Sequence, residues 1–263
     1  MREKSRLDQV VEENHPVVIV LNMGKVGSTS VVQYIRRNAP AFRVLSAHYC
    51  SRNETPIEHG AAVGSATLFP RPEDMELLKP ALEARIKSGR DTMFISGVRN
   101  PIDRIRSAFL QNLESHLLEE KRIRLWMLPW KFTLTDVELS SRLNAFETDF
   151  QLRWFERELE PITGIDIYSN RFDDNHGFMS FSAGPVKLFL YKFEALGNES
   201  LTKGLNNWLR ISSQAGGRIP RLNELSPRMI PIREALMRIP LDPTVDQKIR
   251  ESRLFQHFYG QAR

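Results

Sequence analysis

A chain of 263 residues is long enough for one large domain with a substantial core. With 41% apolar and 26% charged residues, it is neither a disordered nor a fibrous sequence. A formal net charge of +5 and a pI near 9.4 suit an anionic ligand but are too mild to call for a nucleic-acid partner. The single cysteine, Cys50, excludes an internal disulfide, and no cysteine and histidine spacing fits a zinc site.

Residues 1–15 form a polar leader without a signal-peptide core, and the apolar run Val17 to Met23 is too short to span a bilayer. A cytoplasmic protein is expected, unless the chain is a luminal domain separated from a membrane anchor. Val17 to Leu21 is a continuous β-branched run suited to a strand buried on both faces. A Gly-rich turn from Met23 to Ser28 follows, then a helix from Ser30 to Arg37 with Val31, Val32 and Ile35 on one side, ended before Pro40. Phe42 to Ala47 reads as a second strand. Residues 50–72 are polar and hold Pro56, Gly60, Gly64 and Pro70, which predicts a long loop, a candidate for the acceptor side of a site.

Glu73 to Lys87 reads as a helix and Thr92 to Val98 as a third strand that exits through Arg99-Asn100-Pro101. Ile102, Ile105, Phe109 and Leu113 then mark a helix face, with Pro101 in its first turn. Thr135 and Glu138 form a capping box for a long helix to about Glu160, striped by Leu143, Phe146, Phe150 and Trp154 and stopped by Pro161 and Gly164. Val186 to Phe193 is a fourth buried strand, and the remainder is helical. Asp242 and Pro243 open a last helix carrying Val245, Ile249, Phe255 and Phe258. Strands alternating with helices predict an α/β domain over residues 1–263, with a central parallel sheet and helices on both faces.

Asn22-Met23-Gly24-Lys25-Val26-Gly27-Ser28-Thr29-Ser30 lies between a buried strand and a helix. Glycines there let backbone N–H groups converge on a phosphate at the positive end of the helix. The order differs from G-x-x-x-x-G-K-[ST], since Lys25 precedes the second glycine, and this argues against an ATPase or GTPase. Taken alone, the segment also suits a plain strand-to-helix turn with an exposed lysine. A second half-site follows the third strand, where Arg99 is joined eight positions later by Ser107 on a helix. A guanidinium fork pairs two phosphate oxygens and a serine adds a donor.

Lys25, Gly27, Ser28 and Thr29, with Arg99 and Ser107, resemble the two nucleotide-binding halves of the sulfotransferases that use phosphoadenosine phosphosulfate (PAPS). Leu188 to Leu196 resembles the late strand and Glu-x-Leu turn of that fold, with Ala195 where the family more often has Asp. The loop together with Trp154 to Leu159 and Gly164 to Tyr168 is similar to bacterial sulfotransferase-like proteins named for capsular polysaccharide synthesis. That similarity runs over roughly Val17 to Leu196, with a less recognisable tail.

The resemblance implies a P-loop-type sulfotransferase fold and transfer of a sulfonate group from PAPS to a hydroxyl acceptor, a carbohydrate, with phosphoadenosine phosphate (PAP) as product. It assigns the 5′-phosphate to Gly24 through Ser30, including Val26, and the ribose 3′-phosphate to Arg99 and Ser107. Lys25 would donate to the bridging oxygen of the leaving group, and no metal is required. His48, just past the second strand, is the candidate general base, with His59, Glu54 and Glu58 in reserve and His116 and His176 read as structural. Trp154 and Phe155 read as core packing. Trp126 and Trp130 suit an acceptor cleft and equally suit packing. Arg218 and Arg221 read as surface charges with a lesser claim on the nucleotide. A small-molecule P-loop kinase and a non-catalytic nucleotide-binding scaffold in polysaccharide assembly remain as alternatives.

Overall fold

The computed structural model describes residues 16–50, 72–110, 136–145, 148–211, 217–221 and 230–260. The long loop after Cys50, the reserve bases His59, Glu54 and Glu58, His116, Leu113, Trp126, Trp130, Thr135 and Phe146 lie outside the described residues.

Five strands form one sheet: β1 (Val17–Leu21), β2 (Arg43–Ala47), β3 (Thr92–Val98), β4 (Phe178–Ala183) and β5 (Val186–Lys192), in the order β2-β1-β3-β5-β4. The pairs β1 with β2, β1 with β3 and β3 with β5 are parallel. β4 pairs antiparallel with β5, so the sheet is mostly parallel where a wholly parallel one was expected. β4 and β5 are joined by Gly184 and Pro185 alone, with Gly184 at φ 57°. A two-residue hairpin can only return the chain antiparallel, because a parallel return needs a crossover.

The contacts of the chain divide it into two compact units. The first contains the whole sheet with α1 (Ser28–Asn38), α2 (Pro72–Lys87), a π-helical turn (Phe155–Leu159), α6 (Glu160–Thr163) and α7 (Glu199–Leu209). The second is helical, with α3 (101–110), α4 (Asp136–Asn144), α5 (Asp149–Leu152), α8 (Ile230–Arg238), α9 (Pro243–Glu251) and α10 (Arg253–Phe258).

In the first unit β1 is buried along its whole length, as its β-branched run requires. Val18 and Val20 face the side where Ile95 and Phe189 meet Val31 and Ile35 of α1 and Leu201 and Leu205 of α7. The alternate set, Ile19, Phe94 and Leu188, is equally buried, so both faces of the sheet are covered. Each such side chain contributes about 1.5–3 kcal/mol by leaving water. Tyr34 of α1 donates through its hydroxyl to Asn206 of α7 at 2.9 Å, fixing the two helices on that face.

The helix expected from Thr135 to Glu160 is broken. α4 ends at Asn144, α5 is one turn, and Phe155–Leu159 is wound as a π turn. Pro161 lies inside the following turn instead of stopping it, and Gly164 at φ 67° ends it, donating to Glu160 O at 2.8 Å. A proline ring crowds the carbonyl four residues back, and the widened turn just before Pro161 relieves that contact. The last helix is also interrupted. Asp242 caps α9, accepting from Thr244 N at 2.8 Å, but Ser252 adopts an extended backbone and its hydroxyl caps α10 by accepting from Phe255 N at 3.2 Å.

Candidate functional site

Three residues in the turn between β1 and α1 take a left-handed backbone: Gly24 (φ 77°), Lys25 (φ 57°) and Gly27 (φ 79°). Glycine does so freely, whereas Lys25 pays a side-chain penalty of roughly 1–2 kcal/mol. The turn is tied down at each step. The Asn22 side chain accepts from Gly24 N at 2.9 Å, and the Tyr191 hydroxyl donates to Val26 O at 3.0 Å. Gly27 is closed in by Leu196 and Phe193, and a Cβ there would stand within 3.0 Å of Leu196 Cδ1 and 3.2 Å from Phe193 Cδ2. α1 then begins on Gly27 with no side-chain cap and no acidic residue in its first turn, while Arg36 and Arg37 occupy its last. Its N-terminal end is therefore left electropositive.

Arg99, at the end of β3, joins this turn. Its Nη1 donates to Lys25 O at 3.2 Å, and its guanidinium carbon lies 4.3 Å from the centre of the Phe193 ring. Arg221 approaches the same ring at 5.8 Å and donates to Leu196 O and Glu194 O, each at 2.7 Å. Far from being only a surface charge, it holds the Glu-x-Leu turn that closes on Gly27. Arg218 is exposed and faces Glu199 at 3.9 Å.

His48 stands immediately past β2, half-buried, with Nδ1 3.0 Å from Asn22 O. Its ring lies beside Gly24, with Cε1 3.6 Å and Nε2 3.8 Å from the point where a Cβ would be. Asn22 is thus a junction: its N–H donates to Ala47 O at 3.1 Å, its carbonyl faces His48, and its side chain holds Gly24. The Asn22 Nδ2 donor is buried with no partner, which leaves one hydrogen-bonding demand at the floor of the turn unmet.

From the other side comes the π turn. Trp154 Nε1 donates to His48 O at 2.9 Å, and Glu158, 1% exposed, accepts from Cys50 N through Oε2 at 2.6 Å. Burial, with the Glu158 carboxylate beside it, pushes the Cys50 thiol far above its ordinary range. Trp154 does pack in the core, edge-on to Phe155 at 5.2 Å, yet its indole N–H also serves the segment carrying His48.

Ser28 and Ser30 are buried on α1 and Thr29 is half-buried. Ser107 belongs to the second unit, half-buried on α3, where Asn100 caps the helix by accepting from Ile102 N at 3.0 Å. His176 is exposed and bonds Asp173 at 2.6 Å. The second unit also has a groove of about 480 Å³ lined by Val137, Ser140, Ser141, Arg238, Ile239 and Pro240. Its lining brings one cation and no acid or base pair, so it is the poorer candidate for chemistry.

Residues 142–260 match the NKWYS family model, whose description is "Putative capsular polysaccharide synthesis protein". No curated protein matches the chain, and no solved structure does. The matched segment includes the C-terminal tail beyond Leu196 and does not reach the turn, His48 or Arg99. It does contain Trp154, Glu158, Tyr191, Phe193, Leu196 and Arg221, the residues that close around the turn. Among the described residues, no helix is long and apolar enough to cross a membrane.

Proposed function

We propose that the chain is a sulfotransferase, moving a sulfonate group from PAPS to the hydroxyl of a carbohydrate. The observation that carries this reading is the Arg99 donation to Lys25 O at 3.2 Å. It brings the cation at the end of one parallel strand onto the left-handed turn that follows its neighbour, at the edge where α/β sheets bind ligands. The orphaned Asn22 amide and the uncapped first turn of α1 suit the same anionic ligand. A carbohydrate acceptor is favoured by the description of the family that the segment 142–260 matches.

PAPS supplies a sulfonate already activated on a phosphate leaving group. The turn from Gly24 to Ser30 would hold the 5′-phosphate through backbone amides and the Ser28 and Thr29 hydroxyls. Lys25 would offset the charge that develops on the bridging oxygen as the S–O bond breaks, the kind of electrostatic help that dominates group transfer of this sort. Arg99 would grip the 3′-phosphate as a fork. The part of Ser107 rests on the resemblance alone. His48 would take the acceptor proton at Nε2 as the acceptor oxygen bonds to sulfur.

Isothermal titration with PAP in the absence of any divalent cation tests the reading. Saturable binding, weakened in Arg99→Ala, is expected. Binding of ATP with magnesium and none of PAP would overturn it in favour of a kinase, and binding of neither would remove the nucleotide altogether.

A further inference from the structure

We infer that the π turn after Trp154 is the positioning element for His48, with Trp154 and Glu158 as its two contacts, an inference that rests on the sulfotransfer reading above. The two side chains are four residues apart, Trp154 at the N-cap of the widened turn and Glu158 within it, and reach the same three residues after β2. Trp154 Nε1 donates to the carbonyl of His48 at 2.9 Å, and Glu158 accepts from the N–H of Cys50 at 2.6 Å. The backbone is thus held on both sides of Tyr49, directly downstream of the His48 ring. Both holding side chains are 1% exposed. Burying a carboxylate is costly for stability and is retained where it fixes a geometry. π turns, likewise, are rare and concentrate at functional places.

The geometry of the ring completes the argument. A carbonyl oxygen only accepts, so the 3.0 Å contact between His48 Nδ1 and Asn22 O requires the hydrogen on Nδ1. The neutral ring then carries its lone pair on Nε2, the atom that lies 3.8 Å from the Cβ direction of Gly24. Asn22 sets the tautomer, and the π turn sets where the ring stands so that Asn22 can do so. Removing either hold frees the segment to slide away from Asn22, and the tautomer preference weakens with it. Trp154 and Glu158 touch no reacting atom in this scheme; they act through His48.

The test is a nitrogen-15 spectrum of protein labelled in histidine, recorded well above the ordinary imidazole pKa of about 6.5, with the His48 signals identified by their loss in His48→Gln. Wild type is expected to show His48 mainly in the Nδ1–H form. Trp154→Phe keeps a ring in the core and deletes the donor, and Glu158→Leu deletes the acceptor. Each is expected to lower the ratio of Nδ1–H to Nε2–H by about 2- to 10-fold, the equivalent of one hydrogen bond. Glu158→Gln, which still offers an oxygen to Cys50 N, is expected to retain the wild-type ratio. If both Trp154→Phe and Glu158→Leu keep that ratio while their melting temperatures fall, the turn is only structural and the inference is wrong. Should Trp154→Phe fail to fold, the Glu158→Leu and Glu158→Gln pair decides alone. PAP titration of wild type separates the two failures: no PAP binding sinks the sulfotransfer reading, whereas an unchanged ratio sinks the positioning role with PAP binding intact.

Discussion

Replacing Gly27 with alanine tests the packing that closes the turn. Two costs add. An L-residue at φ 79° is strained by roughly 1–2 kcal/mol, and the new Cβ stands within 3.0 Å of Leu196 Cδ1, a side chain only 1% exposed with little room to retreat. Overpacking of that kind costs about 1–3 kcal/mol, giving roughly 2–5 kcal/mol in all. Gly164 supplies the reference, since it has φ 67° in the same unit and nothing within 4 Å of its Cβ position. Gly164→Ala therefore carries the backbone cost alone. Equilibrium unfolding in urea, followed by tryptophan fluorescence, should rank Gly27→Ala below Gly164→Ala by about 1–3 kcal/mol. In a Leu196→Ala background most of the excess should vanish, because the obstructing methyl is gone and only the milder contact with Phe193 Cδ2 at 3.2 Å remains. Equal losses to within about 0.5 kcal/mol, the usual limit of additivity, would refute the placement of Leu196 against the turn.

Lys25→Ala is expected to abolish transfer of labelled sulfonate from PAPS to sugar acceptors while PAP affinity drops only moderately by calorimetry; near-wild-type transfer would remove its leaving-group role. Arg99→Ala should weaken PAP binding by about 10- to 100-fold, the worth of a hydrogen bond to a charged group. Arg99→Lys should recover only part of this, because an ammonium keeps the charge and loses the fork; full recovery would count against a bidentate contact. Cys50 gives a pH signature: its folded pKa is raised above the ordinary 9.0 by burial and by Glu158. Its contribution to stability is therefore complete below the unfolded value and lost as pH climbs above about 9, by at most about 1.4 kcal/mol per pH unit. Cys50→Ala should flatten the alkaline limb of stability against pH, leaving the part due to Tyr191, whose phenol burial also raises. An unchanged slope would contradict the buried, protonated thiol.

The parallel core of the sheet was legible because its signal is local. The β-branched run Val17–Leu21 and the mainly apolar run Thr92–Val98 each form a strand at the expected bounds, since a short apolar run is what a strand buried on both faces requires. β4 leaves a weaker signal because its residues Phe178–Ala183 mix serine with phenylalanine at an edge, with Ser180 and Ser182 exposed and the others half-buried. The Gly184-Pro185 pair between two runs was the signal that would have found it. The turn after β1 and the position of His48 at a strand end were readable from residue order. Glu158 was not, because a glutamate in an apparent amphipathic helix reads as its solvated face, and only the switch to a π turn rotates it inward to Cys50 N. The structural role of Arg221, which reads as a surface charge, is illegible for a similar reason: its partners are backbone carbonyls at Glu194 and Leu196, and backbone acceptors leave no mark in a sequence.

The matched segment and the turn are separate stretches of sequence, yet within the first unit they are one structure. Tyr191 caps Val26, Leu196 and Phe193 fill the space a side chain at Gly27 would need, and Arg221 holds the backbone at Glu194 and Leu196. Trp154 and Glu158 hold the strand exit that bears His48. A turn with three left-handed residues is unstable by itself, because each departs from the conformation its neighbours would choose, so the residues that over-determine it must come from elsewhere. Beyond Asn22 and Arg99, they come from the stretch that resembles a capsular polysaccharide synthesis family. That stretch therefore acts on the candidate site without supplying Lys25, His48 or Arg99, and a change in it at Leu196 or Trp154 should reach the chemistry through backbone placement, leaving the charge of the site as it was.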